Sequence, residues 1–196
     1  SSGTSADGNA NSVPDECEVD CNGNGINDAL DILMGVPDVD GNGVPDECEA
    51  ITAGYGFCVS GPCGNDFASA GCLNSTGVGA SISASGTSGV AADDLFIQMT
   101  GLPAFEFGLF YNGPTAVPGF SFGDGLRNVV GSVNRFPIQN SGAGGAISFG
   151  PVVSHANANF PVAGQITAGS TWHFQGWFRD PMGPCSSSFN LTHGLS

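Results

Sequence analysis

The chain has 196 residues, with 18 acidic side chains against three arginines and no lysine, for a formal charge of −15. Three cations cannot neutralise a phosphate backbone, which excludes nucleic acid as a partner, and no apolar run approaches the ~20 residues of a membrane span. Glycine and proline make up 44 of the 196 residues, which excludes a long helical bundle, because glycine costs about 1 kcal/mol against alanine inside a helix. Apolar residues at 40 %, with 14 phenylalanines, still suffice for a packed core. The opening SSGTSADGNA has no signal-peptide character, so the sequence reads as a mature secreted chain whose export signal has been removed.

Residues 1–50 hold 12 of the 18 acids and no base. The composition changes near Glu49–Tyr55, which sets two units: an N-terminal module over 1–50 and a glycine-rich domain over 51–196. The acids of the first unit are regularly spaced. Asp7–Glu18, Asp20–Asp31 and Asp38–Glu49 align as three twelve-residue loops with oxygen side chains at positions 1, 3, 5, 9 and 12. A hard cation takes six to eight oxygens at 2.3–2.6 Å, and alternate residues of a tight loop supply them, with position 7 giving a backbone carbonyl. The expected ligands are therefore Asp7, Asn9, Asn11, Val13, Asp15 and Glu18 in loop 1. In loop 2 they are Asp20, Asn22, Asn24, Ile26, Asp28 and Asp31. In loop 3 they are Asp38, Asp40, Asn42, Val44, Asp46 and Glu49. The sequence thus predicts about three Ca2+ ions. Glycine fills the turn at position 6 in loops 2 and 3, but Ser12 stands there in loop 1, making that loop the weakest.

The loops resemble the calcium repeats of dockerin modules and thrombospondin type 3 repeats more than paired EF-hands. Pro14 and Pro45 sit at position 8, where a paired EF-hand donates a backbone N–H to its partner loop, and proline has none. One short helix is expected, over Asp28–Met34, with Leu30, Leu33 and Met34 on one face and Gly35 and Pro37 closing it.

Seven cysteines (17, 21, 48, 58, 63, 72 and 185) are too many for a reduced cytosolic chain of this composition. No C-x-x-C pair supports zinc. Cysteines at loop position 11 (Cys17) and at position 2 of the next loop (Cys21) occur together, whereas Leu30 and Val39 fill both positions at the next junction. The expected first disulfide is therefore Cys17–Cys21. Cys63–Cys72 would close a short loop, and one of the seven thiols must lack a partner within the chain.

Residues 51–196 read as short strands separated by glycine, proline and asparagine. The candidates are Val78–Ala84, Leu95–Thr100, Phe105–Tyr111, Leu126–Phe136, Ala146–Phe149, Gly164–Thr167, Thr171–Phe178 and Phe189–Leu191. In TWHFQGWFRD, Trp172, Phe174 and Phe178 share one face, with His173, Gln175, Trp177 and Arg179 on the other. The expected fold is mainly β, a β-sandwich preceded by the calcium-loop module with at most one short helix.

PCGN at Pro62–Asn65, GCLNS at Gly71–Ser75, FGDGLR at Phe122–Arg127, FRD at Phe178–Asp180 and FNLT at Phe189–Thr192 together resemble the glycine-rich C-terminal domain of secreted proteins from environmental bacteria. That domain often follows DxNxNG calcium repeats. Members often carry two further cysteines, where this chain has Gly61 and Asn128. The resemblance implies that those two would pair, leaving Cys58 for Cys185 and Cys48 as the odd thiol. It implies no activity.

Catalytic motifs are weak. Gly119–Gly123 matches G-x-S-x-G, but Asp124-Gly125 starts no helix behind it. Glu106, Asp124 and Asp180 could supply a carboxylate pair, yet Glu106 alternates with Phe105 and Phe107 as a solvated strand face does. His155, His173 and His193 are scattered and read as polar surface. Asp93-Asp94 reads as a turn. Trp177, opposite the core face, could stack on a sugar. The expectation is a secreted, extracellular, calcium-stabilised, non-enzymatic structural protein that assembles with copies of itself into a filament or matrix. The alternative is an accessory interaction module whose ligand would be extracellular polysaccharide. The lack of a catalytic partner domain in the sequence favours the first.

Overall fold

The computed structural model describes residues 7–8, 12–36, 38, 43–45, 48 and 54–196. Six expected ligands, Asn9, Asn11, Asp40, Asn42, Asp46 and Glu49, lie outside the described residues. In the N-terminal module a 3-10 turn at Asp15–Cys17 precedes helix α1, Asp28–Leu33. Asn27 caps α1 by accepting the Leu30 N–H at 2.8 Å, and Gly35 ends it at φ 106°. The buried face of α1 is acidic rather than apolar. Asp28 and Asp31 are buried, while Leu33 and Met34 are 73 % and 69 % exposed.

The second unit is mainly β. Its strands are β1 (Gly54–Tyr55), β2 (Ser81–Ser85), β3 (Phe96–Thr100), β4 (Phe107–Gly113), β5 (Thr115–Phe122), β6 (Gly125–Val130), β7 (Asn134–Arg135), β8 (Gln139–Asn140), β9 (Ile147–Phe149), β10 (His173–Arg179) and β11 (Phe189–Leu195). A six-stranded antiparallel sheet runs β1-β11-β10-β4-β7, with β8 pairing further along β4. A second sheet has the order β2-β3-β9, and β5–β6 is a separate hairpin. The main core joins Phe110, Phe174, Phe178 and Leu195 of the large sheet to Ile82, Ile97, Met99 and Ile147 of the small one. Alternation along β10 sets this up. Phe174 and Phe178 enter the core, while Trp177 belongs to a second cluster on the opposite face, with Tyr111, Val129 and Leu191.

The large sheet's second face is partly covered by the β5–β6 hairpin, and one buried side chain pins it there. Gln175 donates through Nε2 to the Leu126 and Thr192 carbonyls, each at 2.8 Å. Its Oε1 accepts from the Asn128 N–H at 3.0 Å and from the Tyr111 hydroxyl.

Several expectations need correcting. The run Leu126–Phe136 is two strands, β6 and β7, because Gly131 turns the chain at φ 91°. Gly164–Thr167 is not a strand: a 3-10 turn occupies Val162–Gly164. The short strands β1 and β8 are not among the expected ones, and neither are two longer elements. One is β5, whose Pro118 sits in the register shift between Ala116 and Phe120, where no ladder N–H is required. The other is helix α2, Val152–Asn159, which buries Val152, Val153 and Ala156. Its capping group comes from far away, the Asp93 carboxylate accepting the Ser154 N–H at 2.9 Å.

All three disulfide pairings differ from expectation: the bonds are Cys21–Cys48, Cys58–Cys72 and Cys63–Cys185, and the free thiol is Cys17, not Cys48. Position 2 and position 11 do pair, but Cys21 of loop 2 reaches Cys48 of loop 3 (Cα–Cα 5.7 Å), not Cys17 of loop 1. Cys17 closes its own 3-10 turn, its N–H donating to the Pro14 carbonyl, and faces solvent. In the β domain, Cys58 and Phe67 form a bridge and the Cys58 N–H donates to Ala70. The segment thus folds back so that Cys58 meets Cys72, leaving Cys63 at the exposed tip for Cys185.

The histidines are not polar surface either. His155 packs among Phe136, Phe149 and Phe160, and His193 is buried against Phe57. Burial pushes the His193 imidazole below its ordinary range, only partly offset by a hydrogen bond to the Ile82 backbone. The folded state therefore favours neutral His193. Its contribution is complete above the unfolded value of ~6.5 and is lost as pH falls below it. Thermal melts in saturating calcium should show Tm falling between pH 7.5 and 5.5, and His193→Gln should flatten that fall. An unchanged slope would count against this assignment.

Candidate calcium loops and an aromatic groove

The twelve-residue spacing produces the same local geometry in each loop. The position-6 N–H donates to the position-1 carboxylate three times: Ser12 to Asp7 at 3.0 Å, Gly25 to Asp20 at 2.9 Å and Gly43 to Asp38 at 3.1 Å. All three donors have left-handed backbone, at φ 73°, 85° and 85°. The position-2 N–H donates to the position-9 carboxylate twice, Gly8 to Asp15 and Cys21 to Asp28, both at 2.9 Å. Loop 2 brings positions 3, 5 and 12 together: the Asn22 and Asn24 amides lie 2.9–3.1 Å from the Asp31 carboxylate. Asp15 also accepts from the Asn27 amide at 3.0 Å, tying loop 1 to loop 2. Glu18, Asn27, Asp28, Gly43 and Val44 line one cleft of about 220 Å³ where the loops meet.

These residues fit a hard cation. Asp28 and Asp31 are 5 % and 3 % exposed, and residues 1–50 contain no Lys or Arg to compensate them. Burying a carboxylate without a cation is costly, and the donor set here is oxygen throughout. Among the described residues, Cys21, Asp28 and Cys48 also cluster within 4.8 Å. The two sulfurs there are joined as a disulfide, so only Asp28 retains ligand capacity.

A second feature lies on the open part of the large sheet, beside the β5–β6 hairpin. Tyr111, Phe122, Trp177 and Phe189 line a groove of about 540 Å³ together with Arg127 and Arg135. Phe122 and Trp177 both pack on Phe189, at ring distances of 5.2 and 5.7 Å. The Arg127 guanidinium lies over the Tyr111 and Phe122 rings, 5.9 and 5.6 Å from their centres, held by its Nε donating to the Val129 carbonyl. Arg135 is exposed, opposite Tyr111 in the ladder. Among the described residues, no carboxylate pairs with either guanidinium. Sequence reasoning found Trp177 but neither arginine as a partner to it. The signal lay in the charge census, since two of only three cations meet here.

The remaining sequence motifs take ordinary places in the β domain. Ser121 lies within β5, and a two-residue turn leads directly into β6, so no helix follows it. Glu106 is half-buried, its N–H donating to the Ser141 hydroxyl. Asp94 accepts from the Thr87 N–H and hydroxyl, which hold its carboxyl below the usual range, and Asp93 caps α2. Comparison with protein-family models, with curated proteins and with solved structures found no match.

Proposed function

We propose that this chain is a secreted, non-enzymatic structural protein, stabilised by about three Ca2+ ions in its N-terminal loops, that assembles with copies of itself. Three disulfides fit an oxidising, extracellular compartment. The observation that carries the assembly reading is the groove. The Phe122, Trp177 and Phe189 rings line it together with two guanidiniums that no carboxylate pairs with among the described residues, in a chain of charge −15. Such a surface suits apolar side chains flanked by carboxylates, and the N-terminal module offers them: Leu33 and Met34 are exposed in a segment with 12 acids. Module of one copy against groove of the next is a heterologous contact, which propagates into a filament.

A carbohydrate ligand is the second reading, favoured by Trp177. It is less well served. Apart from the arginines, the described lining offers only the Trp177 indole N–H and Tyr111, whose hydroxyl is already committed to Gln175.

Complementation tests the assembly. With calcium, the wild-type chain should sediment as polymers. Arg135→Glu/Ile138→Asp (Ile138 is 66 % exposed) should raise the concentration needed for assembly at least about tenfold, equivalent to ~1.4 kcal/mol. Leu33→Lys/Met34→Lys should do the same. Mixed, the two variants should form a 1:1 pair of twice 19.6 kDa that grows no further. A wild type that stays monomeric while binding acidic or neutral oligosaccharides would replace this reading with the accessory module.

A further inference from the structure

Five short motifs play no part in the loops, and only two of them border the groove. Asn65 of PCGN donates through Nδ2 to the Leu73 carbonyl at 3.0 Å and to the Asp124 carbonyl at 2.8 Å. Asn190 of FNLT donates to the same Leu73 carbonyl at 3.1 Å. Ser75, at the end of GCLNS, donates its N–H to Asp180 Oδ2 at 3.1 Å. The motifs therefore converge around two carboxylates, Asp124 of FGDGLR and Asp180 of FRD. Both are fully buried, at 0 % exposure.

These carboxylates approach each other across Gly183. A Cβ at that position would stand 2.2 Å from Asp124 Oδ2 and 2.7 Å from Asp180 Oδ2, so only glycine lets the backbone pass this close to both acids. Asp124 accepts two backbone donors, the Cys185 N–H at 3.1 Å and the Ser187 N–H at 2.8 Å. Asp180 is less well served: its Oδ1 is buried with no hydrogen-bond partner. Among the described residues, no cationic side chain pairs with either acid, and Arg179, next in sequence to Asp180, is exposed. Two buried like charges in one place destabilise each other unless a cation or a proton stands between them. The unpartnered Oδ1 of Asp180 is a buried acceptor that a ligand would satisfy.

We propose that Asp124 and Asp180 hold a calcium ion inside the β domain, separate from the N-terminal loops. The ligand class follows from the donors. They are carboxylate oxygens, while the nearby sulfurs of Cys63 and Cys185 are locked in a disulfide. That set suits a hard divalent cation and not zinc. The ion would tie the 180–188 loop and the Ser75 turn to the β5–β6 hairpin, which is what the convergent motifs build.

Metal content tests this without reference to the loops. Asp180→Asn is isosteric and keeps an oxygen for the Ser75 N–H. After gel filtration in calcium, it should carry one ion fewer per chain than the wild type by elemental analysis. Hydrogen exchange on the unmodified chain is the second measurement. Calcium should slow exchange in peptides covering 72–76 and 180–188, separately from any change in residues 7–48. Equal metal content in a folded Asp180→Asn, with no calcium effect on those peptides, would overturn the site.

Discussion

Stripping calcium from the chain should unfold the N-terminal module and leave the β domain folded. Among the described residues of that module, no Leu, Ile, Val or Met side chain is fully buried; its buried side chains include Asn27, Asp28 and Asp31. Hydrophobic burial among these residues is therefore slight, and Cys21–Cys48 is the one covalent brace there among the described residues. Three ions would bring its charge from −12 to about −6. An ion held at a thousandfold excess over its Kd contributes ~4 kcal/mol to the folded state, so binding and folding of the module should be a single event. Calorimetric scans should show two transitions in calcium, with only the N-terminal one lost in chelator. The sites should also differ. Ser12 holds φ 73°, which costs a non-glycine residue about 1–2 kcal/mol, so Ser12→Gly should tighten loop 1 about tenfold in a calcium titration. No calcium binding at millimolar concentration or below would refute the loop assignment.

What could be read in the sequence was local. The loop positions follow from a twelve-residue period, and the same period places the Ser12, Gly25 and Gly43 N–H groups on Asp7, Asp20 and Asp38. The β10 faces follow from alternation, so Phe174 and Phe178 were placed in the core and Trp177 outside it. What failed was set by distant partners. Helix α2 carries no cap of its own, because Asp93 supplies it from 61 residues away. Strand β5 was hidden by Pro118, which only a register shift accommodates. The disulfides were misassigned because spacing says which cysteines are near in sequence, while the fold-back at Cys58–Phe67 decides which are near in space. In the sequence Asp124 and Asp180 are only two of three candidate carboxylates. Their common environment appears only when Gly183 brings the 180–188 loop between them.

Mild reduction should open Cys63–Cys185 before Cys58–Cys72, and that single cleavage should cost the β domain most of the stability its disulfides supply. Cys63 is exposed and Cys185 half-buried, whereas Cys58 and Cys72 are 1 % and 0 % exposed and out of reach of an attacking thiolate. The two bonds also differ in what they constrain. Cys58–Cys72 spans 14 residues and Cys63–Cys185 spans 122. In the chain-entropy model these correspond to about 3 and about 4.7 kcal/mol. For a domain of this size each kcal/mol moves Tm by roughly 2–4 °C, so Cys63→Ala/Cys185→Ala should lower Tm by ~9–19 °C. The effect is not only entropic. Cys185 donates its N–H to Asp124 Oδ2, so freeing this residue loosens the loop that carries Gly183 and Ser187 to the buried acids. Timed reduction followed by alkylation and peptide mapping checks the order, with Cys17 labelled before any reductant is added. Cys58–Cys72 opening first, or a double variant that melts with the wild type, would show that the 180–188 loop is held by its buried carboxylates alone.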